Sequence, residues 1–92
     1  MINGNIDEFM DKLWDGEELI YTYNGKKYFS QGYNLDNGVY RLELQLWEPY
    51  GDVLWFTEGI SRQDSVESFL KAAVFDGKTF WEVEKSIEWV DY

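Results

Sequence analysis

Between residues 18 and 58 four β-prone runs follow one another, and no connection between them is long enough to hold a crossover helix. Neighbouring runs must therefore lie antiparallel, as a meander. Residues 18–23 and 26–30 flank Asn24-Gly25, the dipeptide that best tolerates the two positive φ angles of a tight hairpin turn. Such a turn sets Tyr23 opposite Lys26, Tyr21 opposite Tyr28 and Ile20 opposite Phe29. Both faces of this hairpin carry apolar groups, so the pattern does not decide which one is buried.

Residues 32–38 read as a loop. The run 39–47 alternates cleanly, with Tyr40, Leu42, Leu44 and Leu46 on one face and Arg41, Glu43, Gln45 and Trp47 on the other. Pro49, Tyr50, Gly51 and Asp52 make a turn, and residues 53–58 make a fourth strand. If Trp47 pairs with Val53, Leu46 meets Leu54 and Leu44 meets Phe56 on the core side. Trp47, Val53 and Trp55 then share the opposite face, with Tyr50 in the turn beside them.

Helical periodicity flanks the strands. Ile6, Phe9, Met10, Leu13 and Trp14 form one apolar stripe, with Asn5 as N-cap, Glu8 in the first turn and Gly16 as stop. Val66, Phe69, Leu70, Ala73 and Val74 repeat that stripe, with Asp64 and Glu67 as a capping pair and Asp76-Gly77 as the end. Thr79 and Glu82 have capping-box spacing and predict a third helix. Its inner stripe is Phe80, Val83, Ile87 and Val90, while Trp81, Lys85 and Trp89 line another face. The expected architecture is a single α+β domain over residues 1–92. It has a four-stranded antiparallel meander, with one N-terminal and two C-terminal helices packed on one face.

Composition bears on function. Eighteen Asp and Glu face eight Lys and Arg, a net charge of −10, and there is neither His nor Cys. The Ser-His and Cys-His kits of nucleophilic catalysis cannot be built from such a chain. Disulfides and thiolate-metal sites are excluded too. The charge opposes direct binding to nucleic-acid phosphates or anionic membranes and favours a protein partner, basic in character. It also serves solubility. No apolar run is long enough to span a membrane, and no basic start leads into an apolar stretch. The expectation is a soluble, cytoplasmic protein.

No motif marks a metal or cofactor site. Asp7, Asp11 and Asp15 would line one helical face without forming a ligand cage. Five Trp, seven Tyr and six Phe are more rings than a core this size can hide. The Trp47, Tyr50, Val53 and Trp55 group is thus the candidate protein-binding site. A second copy of the chain, or the loop at residues 32–38, would be the other ways to cover it.

Residues 66–82, a helix, an Asp-Gly-Lys turn and the start of a second helix, resemble the ends of small uncharacterised acidic proteins from Gram-positive gut bacteria. That resemblance implies a bacterial protein and carries no activity. In size, charge and element order the chain is also similar to small anti-CRISPR proteins that mimic DNA. The expected function is a non-enzymatic protein-binding module. The alternatives are a nucleic-acid mimic that inhibits a basic nucleic-acid-binding protein, and a small hydrolase using paired carboxylates.

Overall fold

The Asn24-Gly25 hairpin forms in the expected register, with Asn24 at φ 52° and Gly25 at φ 77°. In this computed structural model, which describes residues 1–48 and 51–91, the elements are α1 (Ile6–Asp15), β1 (Leu19–Tyr23), β2 (Lys26–Asn34), β3 (Tyr40–Glu48), β4 (Asp52–Gly59), α2 (Arg62–Lys71), α3 (Phe80–Val83), a 3₁₀ turn (Glu84–Ser86) and β5 (Glu88–Asp91). The class is α+β. The sheet is antiparallel, in the order β4-β3-β2-β1-β5. It has five strands where four were expected.

The extra strand is the main correction. Thr79 and Glu82 do form the capping box, with Thr79 N–H donating to Glu82 Oε1 at 2.9 Å. The helix it starts stops at Val83, and the chain then extends as β5 beside β1. Tyr21 pairs with Trp89, and Thr22 pairs with Glu88. Tertiary pairing has overridden a local 3.6-residue pattern. The open edge of β1 offered a ladder of hydrogen bonds, and the pairing places Trp89 in the core at 7 % exposure. The expected Trp81, Lys85, Trp89 line therefore does not exist, since Trp81 is exposed and Trp89 buried.

α1 matches its pattern. Asn5 Oδ1 accepts from the Asp7 and Glu8 amides at 2.8 and 3.3 Å, satisfying N–H groups that a first turn leaves unpaired. Gly16, at φ 76°, closes the helix, its amide donating to Leu13 O. Phe9 and Leu13 are buried, and Ile6, Met10 and Trp14 pack at their margin. α2 is capped by Ser61, whose Oγ accepts from the Asp64 amide, and it ends at Lys71, before Ala73 and Val74.

Pairing sorts the strand residues into two sets. The first runs Trp89, Tyr21, Tyr28, Leu46 in one row and Leu19, Ser30, Leu44, Trp55 in the next. Tyr21, Tyr28, Leu19 and Leu44 are fully buried. Helix rings reach this set: Phe9 of α1 lies 5.3 Å from Tyr21 and 5.4 Å from Trp89, and Phe69 of α2 lies 5.6 Å from Trp55. Burial raises the pKa of the Tyr21 phenol far above its ordinary value, so this ring stays neutral within the core.

Backbone crowding fixes how α1 meets the sheet. Gly32 N–H donates to Gly16 O at 3.1 Å, and a Cβ on Gly32 would lie 1.8 Å from Tyr40 Oη. Gly32→Ala is expected to cost about 1–3 kcal/mol by overpacking. Tyr40→Phe should recover part of that loss, which paired urea titrations would measure. Tyr40 Oη is buried with no hydrogen-bond partner among the described residues, so Tyr40→Phe alone should be close to neutral.

Asp76 ties the hairpin tip to the turn after α2. Its carboxylate pairs with Lys26 and accepts from Asn24 Nδ2 at 2.8 Å. Lys26, then Asn24, holds the Asp76 pKa below its ordinary 3.8. A depressed folded pKa contributes stability above the unfolded value and loses it as pH falls through the folded one. Asp76→Asn should therefore lower Tm at neutral pH, and the gap to wild type should close below 3.8. A gap of constant size down to strong acid would show that the ion pair is not its cause.

Candidate functional site

The second set of strand residues forms the other sheet face. Ile20, Phe29, Gln45 and Val53 make one row, Gln31, Glu43 and Phe56 the next, and Tyr33, Arg41 and Glu58 the third. Four large side chains of this face, Tyr33, Trp47, Val53 and Phe56, are 38–52 % exposed.

Two register shifts build this surface. Tyr28 pairs with Leu46 while Lys27 pairs with Glu48, so Trp47 is an extra residue in β3. Its ring stacks on Phe29 with centroids 4.6 Å apart and planes 14° from parallel. Trp47 Nε1 donates to Gln45 Oε1 at 3.1 Å, which fixes the indole's orientation. Trp47 thereby shields Phe29, which is only 5 % exposed, while its own ring stays open.

In β4, Leu44 pairs with Trp55 and Gln45 with Val53, leaving Leu54 as the extra residue. This bulge reverses the alternation that follows it. Phe56, expected in the core, pairs with Glu43 and joins the second face. Trp55, expected beside Trp47, pairs with Leu44 and meets Phe69 of α2 instead. Leu46 meets Asp52 rather than Leu54, and Val53 faces Gln45 rather than Trp47. Of the sequence-predicted group, Trp47 and Val53 belong to the second set, Trp55 belongs to the first, and Tyr50 lies outside the described residues.

Beneath the rings runs a polar network that sequence reading missed. Glu43, 5 % exposed, takes hydrogen bonds from Gln31 Nε2 at 2.7 Å and Gln45 Nε2 at 3.3 Å on Oε1, and from Arg41 Nε and Nη2 on Oε2. Arg41 Nη1 also reaches Glu58 Oε2 at 2.7 Å. Glu58, ahead of Glu43, raises the Arg41 pKa further, so the guanidinium stays charged. It sits 4.1 Å from the centroid of Phe56, a cation–π contact that holds this exposed ring in place. A signal was present in part: Arg41, Glu43 and Gln45 alternate on one strand, but their joint grip on a single carboxylate needs β2 beside them.

The arrangement supplies flat apolar rings on a braced polar floor. Preorganised rings lose little side-chain freedom on contact, a property of good binding anchors. Among the described residues, no group of three or more acidic side chains is arranged to hold a metal ion, and no helix is long and apolar enough to cross a membrane. Compared with known proteins, the chain matches no family model, no curated protein and no solved structure.

Proposed function

We propose that this chain is a non-enzymatic protein-binding module whose second sheet face docks a basic partner. The helical layer lies over the first face, and the second is left for the partner. The observation that carries this reading is the shared exposure of Trp47, Val53 and Phe56, with the Trp47 indole bonded to Gln45 and the Phe56 ring under Arg41. Charge acts at longer range: a net −10 raises the encounter rate with a cationic surface and repels acidic competitors. The open rings give short-range contact, and the charge gives selection.

Affinity capture from a lysate of the source organism, with mass-spectrometric identification, tests it. A basic protein should be retained, and its retention should fall with added salt. Salt-insensitive retention would remove charge from the account. Displacement of the partner by duplex DNA would point instead to nucleic-acid mimicry.

A further inference from the structure

We infer that β4 is a strand-addition edge, which takes an extended, lysine- or arginine-rich segment of the partner. This rests on the binding reading above and names its mode and the partner's chemistry. The strand order ends at β4, and among the described residues no isolated bridge falls on it. The other edge is treated differently. β5 is short, and Ile2 lies along it, its N–H donating to Ile87 O and its carbonyl accepting from the Trp89 amide, both at 2.8 Å. One edge is partly closed, and on the other no pairing strand or bridge lies among the described residues.

An edge strand presents a row of backbone donors and acceptors that another chain can pair with. Proteins commonly guard such edges with Lys, Pro, inward charge or a bulge, of which β4 carries the bulge at Leu54. β4 contains no Lys, Arg or Pro. Its exposed residues include Val53, Leu54 and Phe56, with Ile60 just beyond at 93 % exposure. The charges it does carry are acidic, Asp52 near one end and Glu58 near the other. The bulge at Leu54 breaks the ladder on one side of it and leaves residues 55–59 as the regular stretch for pairing.

These features select among occupants. A second copy would bring together two chains of net charge −10 and set acidic strand ends near each other. A cationic segment has the complementary net charge and meets Asp52 on the face opposite Phe56, whereas Glu58, on the Phe56 face, is already held by Arg41. Its apolar residues, on the face shared with Phe56, would extend the rows of exposed rings by one strand. The occupant that fits is a β-prone segment alternating Val or Thr with Lys or Arg.

The test uses the intact protein and a fluorescein-labelled peptide alternating Val and Thr with Lys. Its controls are a Glu-for-Lys counterpart and two forms N-methylated on alternate residues. The Lys peptide should bind, and binding should weaken about tenfold from low to physiological salt. One N-methylated form should lose about tenfold or more in affinity while the other keeps it, because only alternate amides of an added strand face the edge. Amide exchange at residues 55–59 should slow in the complex.

No binding of the Lys peptide, equal binding of the Glu peptide, or indifference to N-methylation at both registers would overturn the inference. So would sedimentation showing that β4 is already paired with a second copy. Binding that ignores N-methylation but is lost on Phe56→Ser would leave docking by the face standing and remove strand addition alone. The N-methylation pattern together with an undiminished hold of Phe56→Ser on the captured native partner would do the reverse.

Discussion

Phe75→Ala is expected to cost about 3–5 kcal/mol of folding stability. For 92 residues the whole stability is about 5–14 kcal/mol, so this single change should remove from about a fifth to all of it. Phe75 is fully buried between the end of α2 and the hairpin. Its ring lies 5.2 Å from Tyr28 and within 6.3 Å of Tyr21, Tyr23, Phe69 and Phe80. It therefore joins β1, β2, α2 and α3, and truncation would remove edge-to-face contacts with several elements together. The backbone there is closed by a bridge between Phe75 and Lys78, which leaves little freedom to collapse into the gap. Phe75→Leu, which keeps most of the volume, should cost about 1–1.5 kcal/mol. Urea titration of both variants measures the difference. A Phe75→Ala loss under about 1 kcal/mol would show that this ring is not the hub its contacts suggest.

Phe56 and Trp55 should respond in opposite ways to truncation. Phe56→Ser should weaken partner binding about thirtyfold, the equivalent of about 2 kcal/mol at a central anchor, and leave folding stability almost unchanged. Trp55→Ala should lower stability by about 1–3 kcal/mol, because the indole packs on Phe69, and should spare binding in the fraction that remains folded. Trp47→Ser should weaken binding as well. It would also expose Phe29 and so cost about 0.5–1.5 kcal/mol of stability through the lost stack. Calorimetric titration of the captured partner against each variant, with Tm recorded beside it, separates the two kinds of loss. The reverse assignment, with Trp55 needed for binding and Phe56 for stability, would mean that the β4 bulge does not exist in solution.

Local pattern made much of this fold legible. The Asn24-Gly25 turn fixed the hairpin register residue by residue, because turn chemistry and strand pairing there depend on the same few positions. The stripe from Ile6 to Trp14 located α1, since amphipathic spacing leaves one burial choice. Tyr40, Leu42 and Leu44 were placed inside for the same reason.

What failed depended on non-local partners. Residues 88–91 carry a helical pattern but lie along the free edge of β1, a strand that far precedes them in the chain. Nothing within residues 79–92 announces that edge. The bulge at Leu54 likewise arises in the pairing with β3. Strict alternation through residues 53–58 then put Phe56 inside and Trp55 outside, so one inserted residue exchanged the two. Sheet-face membership was accordingly only partly legible: Trp47 and Val53 do share the second face, whereas the places of Phe56 and Trp55 are exchanged and the carboxylate network went unread. Phe75 escaped notice because it sits beyond a helical stripe, in a turn, where periodicity says nothing.

On the binding reading proposed above, one sheet face of this protein stays uncovered until a partner arrives. Hydroxyl-radical footprinting of the free and partner-bound protein, read out by mass spectrometry at single residues, tests it most directly. Trp47 and Phe56 should oxidise readily in the free protein and be shielded in the complex, while Phe9, Phe69 and Phe75 should resist in both. Slow oxidation of Trp47 and Phe56 in the free monomer, or unchanged oxidation after the partner binds, would contradict the account.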